Sequence, residues 1–268
     1  MHRIAVLASD RRHGYASYLD LTTGKVVLRT HAPPALTADL SSAFPGLIEP
    51  RPGAPRDALS RQADRAPFWG GASIMSGGGI CSAGFTVERP SGARFMVTAG
   101  HCFELGAGVV TTGGGAGTGS VVRRGPIPPF DMELIGGGLY DASIFVGDDA
   151  HWSRKRVTGA ADPVVGFPDY CRSGQTTGER CGQTVLSVNA QVCTQTGCKS
   201  PVIVYDGGPA GAAAPGDSGA PLYVRSRDGA HVRIRGMHIA QAGTISYAEK
   251  WSRIASHLGV RIATRTAE

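Results

Sequence analysis

Short apolar runs broken by polar positions recur from about Gly71 to the C-terminus, at the spacing of strands rather than helices. The pattern predicts strands over residues 80–87, 94–99, 108–112, 119–123, 143–146, 184–192, 202–205, 221–224 and 232–238. Gly, Pro, Asp and Asn stand between them, as in an all-β barrel or sandwich. One helix is predicted, over 247–258, where Trp251, Ile254, Ala255 and Leu258 share a face and Gly259 marks the stop. Before Gly71 the pattern differs. Residues 15–21 and 25–29 predict a strand pair across Thr22-Thr23-Gly24, and 36–42 a short helix. A Pro-rich stretch over 45–55 follows, then a polar helical patch over 56–65 that leads into Pro67-Phe68-Trp69-Gly70-Gly71.

Composition sharpens the all-β expectation. The 268 residues are 41% hydrophobic and only 18% charged, with 39 Gly and 17 Pro, which suits many short strands and tight turns. The net charge of +6 raises a nucleic-acid or membrane-surface partner. The basic residues are scattered, however, and the densest run is only Arg154-Lys155-Arg156, so a solvated basic surface is expected. No run approaches the roughly 18 apolar residues of a membrane span. The start, Met1 to Ala8, is too short for a signal peptide with its apolar core.

Six cysteines form three local pairs by spacing: Cys81 with Cys102, Cys171 with Cys181, and Cys193 with Cys198. Cys-x2-Cys pairs or histidines at matching offsets, which zinc would need, are missing. Disulfides fit better, and they imply an oxidising compartment. No metal and no cofactor is expected. Gly113-Gly114-Gly115-Ala116-Gly117 opens no helix and lacks a following Lys-Ser/Thr, so a hairpin tip is expected there instead of a phosphate loop. Asp148-Asp149 reads as a turn.

The residues that carry chemistry lie in two short motifs. A serine hydroxyl becomes a nucleophile when a base, a group that orients the base, and amide donors for the oxyanion surround it. Ser218 lies in Pro215-Gly216-Asp217-Ser218-Gly219, where glycines permit a tight loop and the N–H groups of Gly216 and Ser218 can converge on an oxyanion. His101 ends an apolar strand in Thr98-Ala99-Gly100-His101-Cys102, and a bridge from Cys102 to Cys81 would lock its loop. The orienting acid is expected between the two, at Asp141, which heads the apolar strand Ala142-Ser143-Ile144-Phe145-Val146. Asp131 and Glu133 compete for that role, but they follow the Pro126 to Pro129 turn, where a solvated loop is expected.

From about Gly71 onward the chain resembles the bacterial chymotrypsin-like serine proteases, the streptogrisin and α-lytic protease group. Thr98 to Cys102 and Gly216 to Gly219 are similar to that family's His and Ser motifs, and residues 171–182 resemble the streptogrisin disulfide loop almost residue for residue. The resemblance implies two six-stranded antiparallel β-barrels with the active site between them and a C-terminal helix. It also implies synthesis with a pro-region, so residues 1–67 are expected to be the remnant of a small α+β pro-segment and 68–268 the protease domain. The pro-segment would be an intramolecular inhibitor or folding assistant. The expected activity is secreted endopeptidase action on proteins or peptides through a Ser218-His101-Asp141 triad and an acyl-enzyme, by a monomer. A non-catalytic or latent relative acting as a binding module is the alternative.

Two departures from the family pattern stand out. Ala220 replaces the second glycine after the nucleophile, and a positive φ there would strain the loop. The trypsin-type start Ile-Val-Gly-Gly is missing, so Asp217 needs some other cation. Specificity rests on Gly236-Met237-His238-Ile239-Ala240-Gln241, which the resemblance makes a wall of the primary pocket. His238 and Ala240 are its expected substrate contacts, with His238 donating to the side chain of Glu or Gln. A strand histidine turned into the core is the other reading. Gly211 to Pro215, just before the Ser218 motif, holds only Ala, Gly and Pro, and so lacks the carboxylate that cleavage after Lys or Arg would need.

Overall fold

The computed structural model describes residues 15–30, 32–53, 60–148 and 151–264. The chain divides into two compact units, Met1–Ala58 and Leu59–Glu268. The chain start, Asp149 and residues 56–59 of the expected helical patch lie outside the described residues; residues 60–65 of that patch form no helix.

In the first unit, strands Tyr15–Asp20 and Lys25–Thr30 pair as an antiparallel hairpin. Helix Pro34–Ala43 follows, with a buried Leu40 packed against Leu28. The Pro-rich stretch supplies a third strand, Ile48–Pro52, parallel to Lys25–Thr30. An edge position tolerates the missing N–H of Pro50 and Pro52.

The second unit is built from two sheets, which bears out the all-β expectation. One has eight strands, in the order Arg261–Ile262, Thr86–Glu88, Arg94–Thr98, Glu133–Gly136, Gly117–Arg124, Gly108–Thr111, Ser73–Ser76 and Gly79–Ser82. In the other, six strands close a ring. Pro221–Arg225 pairs both with Tyr170–Gly174 at one end of the series and with His231–Ala242 at the other. Between them run the long hairpin Gly178–Thr194 and Gly197–Asp206, then Ile245–Lys250. This closed ring matches one expected six-stranded barrel, while the first sheet carries eight strands. The ladders are not wholly antiparallel either: Ser153–Ala160 runs parallel to His231–Ala242, and Tyr140–Val146 parallel to Phe68–Gly70.

The C-terminal helix is shorter than its pattern predicted. It spans Trp251–Leu258, because residues 245–250 are claimed by ladders to strands on both sides. Ile254 and Leu258 are buried, Trp251 packs edge-on against Phe85, and Gly259 ends the helix at φ 66°. No helix among the described residues is long and apolar enough to cross a membrane.

The segment before Phe68 belongs to the second unit, not to the first as the sequence grouped it. Arg61 is fully buried there. Its guanidinium donates to the Gly71 carbonyl (3.0 Å), the Gly147 carbonyl (2.7 Å) and Ser173 Oγ (2.9 Å), beside the Phe145 ring. The Arg61 and Gln62 carbonyls accept from Ser73 and Gly113, and Asp64 accepts the Trp69 N–H. Burial pushes the Asp64 carboxyl up to about 7.

Candidate active site

His101 stands just beyond strand Arg94–Thr98, on a loop that the Cys81–Cys102 disulfide ties to strand Gly79–Ser82. Ser218 lies on the loop before strand Pro221–Arg225. Ser82 joins the two loops: its N–H donates to the Ser218 carbonyl (2.7 Å) and its hydroxyl to the Gly216 carbonyl (2.9 Å). At this seam Ser218 Oγ lies 3.0 Å from His101 Nε2.

The carboxylate on the far side of the imidazole is Asp131. Its oxygens lie 2.9 and 3.0 Å from His101 Nδ1, and Oδ1 also accepts the His101 backbone N–H at 2.9 Å. The expectation for Asp141 is therefore corrected. Asp141 heads strand Tyr140–Val146 as predicted, but its carboxylate accepts from Ser143 Oγ (3.1 Å) and faces Arg154 (3.8 Å). Strand pairing explains the outcome. Glu133 pairs with Thr98 and Leu134 with Val97, so the same antiparallel register carried on brings Asp131 level with Gly100, beside His101. Strand Tyr140–Val146 pairs instead with Ser153–Ala160 and Phe68–Gly70. Nor is Asp131 solvated after the proline turn: it is 1% exposed, and its N–H donates to Glu249 Oε1 at 2.8 Å.

Glu133, the other competitor, is fully buried 4.0 Å from the Arg124 guanidinium and does not reach the imidazole. Burial pushes its carboxyl up to about 9 and that of Glu249 up to about 7.

The loop around Ser218 is set by glycine and by a buried ion pair. At Gly216 φ is 96°, and a Cβ there would meet Gln175 Nε2 at 2.2 Å and Thr176 Oγ1 at 2.5 Å. The Pro215 carbonyl is turned onto the Thr176 hydroxyl (2.8 Å), which directs the Gly216 N–H to the opposite side of that peptide. Neither the Gly216 nor the Ser218 N–H donates within the described residues. Asp217 is fully buried and accepts from the N–H groups of Thr176, Thr177 and Ala214 and from the Thr177 hydroxyl. The cation it required is Arg172, whose Nη2 lies 3.6 Å away and whose guanidinium also donates to the Gly211 and Ala212 carbonyls. Ala220 fits without the strain considered from sequence. Its methyl is buried, its N–H donates to the Asp217 carbonyl, and the positive φ falls on Gly219 at 90°.

His238 is fully buried on strand His231–Ala242. Its Nδ1 meets the Tyr205 hydroxyl at 2.7 Å and its Nε2 meets Gln241 Oε1 at 3.2 Å. Burial first, and then the charge of Arg172, hold its pKa down at about 3. The ring is thus neutral at ordinary pH. Nδ1 accepts from Tyr205, and the Nε2–H donates to a carboxamide oxygen. Ala240 pairs with Tyr247 two residues along the strand. A cavity of about 270 Å³ opens beside the triad, lined by His101, Thr194, Gln195, Thr196 and Ile239. The remaining disulfides join Cys171 to Cys181 and Cys193 to Cys198, the second at the tip of the long hairpin.

Known proteins resemble this chain, although no family model matches it. Serine protease 2 of Streptomyces fradiae is 32% identical over 160 residues, which is 59% of this chain and 87% of that protein. Streptogrisin-A of Streptomyces griseus is 31% identical over 232 residues, 83% of this chain and 69% of the relative. Among solved structures, a glutamic acid specific serine protease, described as using a histidine triad in substrate binding, superposes with a TM-score of 0.60. It is 26% identical, over 73% of this chain and all of the other.

Proposed function

The chain belongs to the bacterial chymotrypsin-like serine proteases of the streptogrisin and α-lytic protease group, and from that membership we propose a complete mechanism with Ser218 as nucleophile, His101 as base and Asp131 as orienting acid. It is a serine endopeptidase. The observation that carries the proposal is the unbroken hydrogen-bonded series from Ser218 Oγ through His101 to Asp131.

The steps follow from that geometry. Asp131 accepts the Nδ1–H and so leaves the Nε2 lone pair directed at Ser218. As Oγ attacks the scissile carbonyl, Nε2 takes its proton, and the imidazolium gains stability from the buried carboxylate. Negative charge builds on the carbonyl oxygen, where the N–H groups of Gly216 and Ser218 receive it. The imidazolium then protonates the departing amine, leaving an ester on Ser218. Water repeats the sequence in reverse, and the peptide acid departs.

His238 sets the preference for the side chain before the scissile bond. Its Nε2–H is a neutral, buried donor, and Gln241 already occupies it with a carboxamide oxygen. A substrate side chain takes the place of Gln241. Glu and Gln both supply the acceptor oxygen, and an uncharged donor suits the carboxamide of Gln better than a desolvated carboxylate. The structural relative selects glutamic acid and is described as using three histidines. Here no second imidazole bonds His238 among the described residues; its ring partners are Tyr205 and Gln241.

Three disulfides support the reading of a secreted enzyme working in an oxidising compartment. The first unit acts as its pro-segment, and processing spares Arg61, whose burial ties residues 60–67 to the protease unit. Treatment with a serine-directed phosphonylating reagent, before and after removal of the first unit, tests the reading. Labelling of Ser218 in the processed form is expected, and labelling in neither form rejects it. N-terminal sequencing of the processed enzyme should read a residue at or before Arg61.

A further inference from the structure

Behind the carboxylate that orients His101 lies a buried cation that the reaction scheme does not use. Lys199 follows Cys198 at the tip of the disulfide-closed hairpin and is 1% exposed. Its ammonium donates to Thr194 Oγ1 at 2.7 Å and to Thr196 Oγ1. It also stands 3.8 Å from Asp131 Oδ2, on the side away from the His101 backbone. Both threonines line the cavity beside His101.

We propose that Lys199 is a positioning residue for catalysis: its ammonium fixes the Asp131 carboxylate and ties it to the hairpin wall of the substrate cleft. The inference rests on the reading of Asp131 as the orienting acid.

Asp131 is buried with groups of both signs around it. His101 faces it from the loop after strand Arg94–Thr98, Glu249 from strand Ile245–Lys250, and Lys199 from the hairpin. Glu133 lies two residues along its own segment, with Arg124 beside that carboxylate, and Arg253 of the helix pairs with Glu249. Burial in such a place opposes charge on Asp131 unless a cation compensates. Among the described residues both His101 nitrogens facing Asp131 donate to its carboxylate, and Lys199 supplies the remaining neutralisation. Burial lowers the Lys199 pKa, and the charges of Asp131 and Glu249 oppose that fall.

A cation at this distance has a readable consequence. It takes up part of the negative charge that the imidazole of His101 faces, so the imidazole releases its proton more easily than it would against Asp131 alone. Loss of the cation therefore moves the acid limb of kcat/KM to higher pH.

The test compares Lys199→Met, Lys199→Gln and Lys199→Arg in the enzyme expressed as the full chain. In either neutral variant the acid limb should rise by about half a pH unit or more, and the high-pH plateau of kcat should fall. Lys199→Arg should restore the wild-type limb. Neutral variants with lowered melting temperature but an unmoved limb would mean that Lys199 only braces the hairpin, and the proposal falls. A variant-free check is the ammonium NMR signal of Lys199 in the wild-type enzyme. The account expects it to persist from about pH 6 to about pH 9, and a neutral amine in that range overturns it. Wild-type enzyme that phosphonylating reagent fails to label would fail the reading of Ser218 instead, which leaves the two failures distinguishable.

Discussion

Two histidines in one domain have been put to opposite uses by what surrounds them. His101 sits at the seam between the sheets, its side chain a quarter exposed, with a buried carboxylate on one nitrogen and a hydroxyl on the other. In the proposed mechanism that setting lets the ring take the Ser218 proton and return it during turnover. His238 is fully buried between a phenol and a carboxamide, near the buried guanidinium of Arg172, and its pKa is held at about 3. That ring stays neutral and serves as a fixed donor. The difference teaches that the role of a histidine here follows from its neighbours' charge and from solvent access.

The largest effects should come from breaking the first setting. Ser218→Ala or His101→Ala should each lower kcat/KM by roughly 10⁴-fold or more, and the double variant should lose little beyond either single one. Steady-state kcat/KM of the folded variants checks this. Additive losses would show that the two groups do not act together.

Breaking the second setting should change selectivity rather than rate. His238→Ala should cost about 10²-fold in kcat/KM on peptides with Gln before the scissile bond, with little change for Phe or Leu. Tyr205→Phe keeps the ring but frees its tautomer, and a loss of several-fold on the same peptides is expected. Competition assays over a peptide panel measure both. An undiminished preference for Gln and Glu in His238→Ala would remove His238 from the pocket account.

A smaller effect concerns the acids behind His101. Glu133 titrates at about 9 in the folded protein against an ordinary value of 4.5. Between those values the folded form holds a proton that the unfolded form lacks, so this group's contribution to stability is lost as pH rises. His238 works in the opposite direction. Its depressed pKa makes stability fall as pH drops from about 6.5 toward about 3. Glu133→Gln should flatten the decline in melting temperature from about pH 6 to about pH 9, by a few degrees at the alkaline end. An unchanged decline would show that another group sets it.

Much of this was legible in the sequence, and the missing parts share a cause. His101, Ser218, the three disulfides and the β-rich domain were readable because each is a local pattern of spacing and residue type. Asp131 was passed over for Asp141 because it follows the Pro126 to Pro129 turn, where a solvated loop is expected, and only the pairing of strand Glu133–Gly136 with Arg94–Thr98 brings it beside His101. Arg172 as the partner of Asp217 was hidden for the same reason, since 45 positions of chain separate the two buried residues. The boundary after residue 67 missed Arg61, a single buried side chain in a polar-looking segment. Contacts between distant segments carry no local signature.

The most direct test of the central claim is the rate at which a phosphonylating reagent modifies Ser218 in Asp131→Asn and in Asp141→Asn, read by mass spectrometry of the Ser218 peptide. The account predicts a loss of about 10³- to 10⁴-fold for Asp131→Asn and a rate within about twofold of wild type for Asp141→Asn. Normal labelling in Asp131→Asn, with the loss appearing in Asp141→Asn, would contradict it.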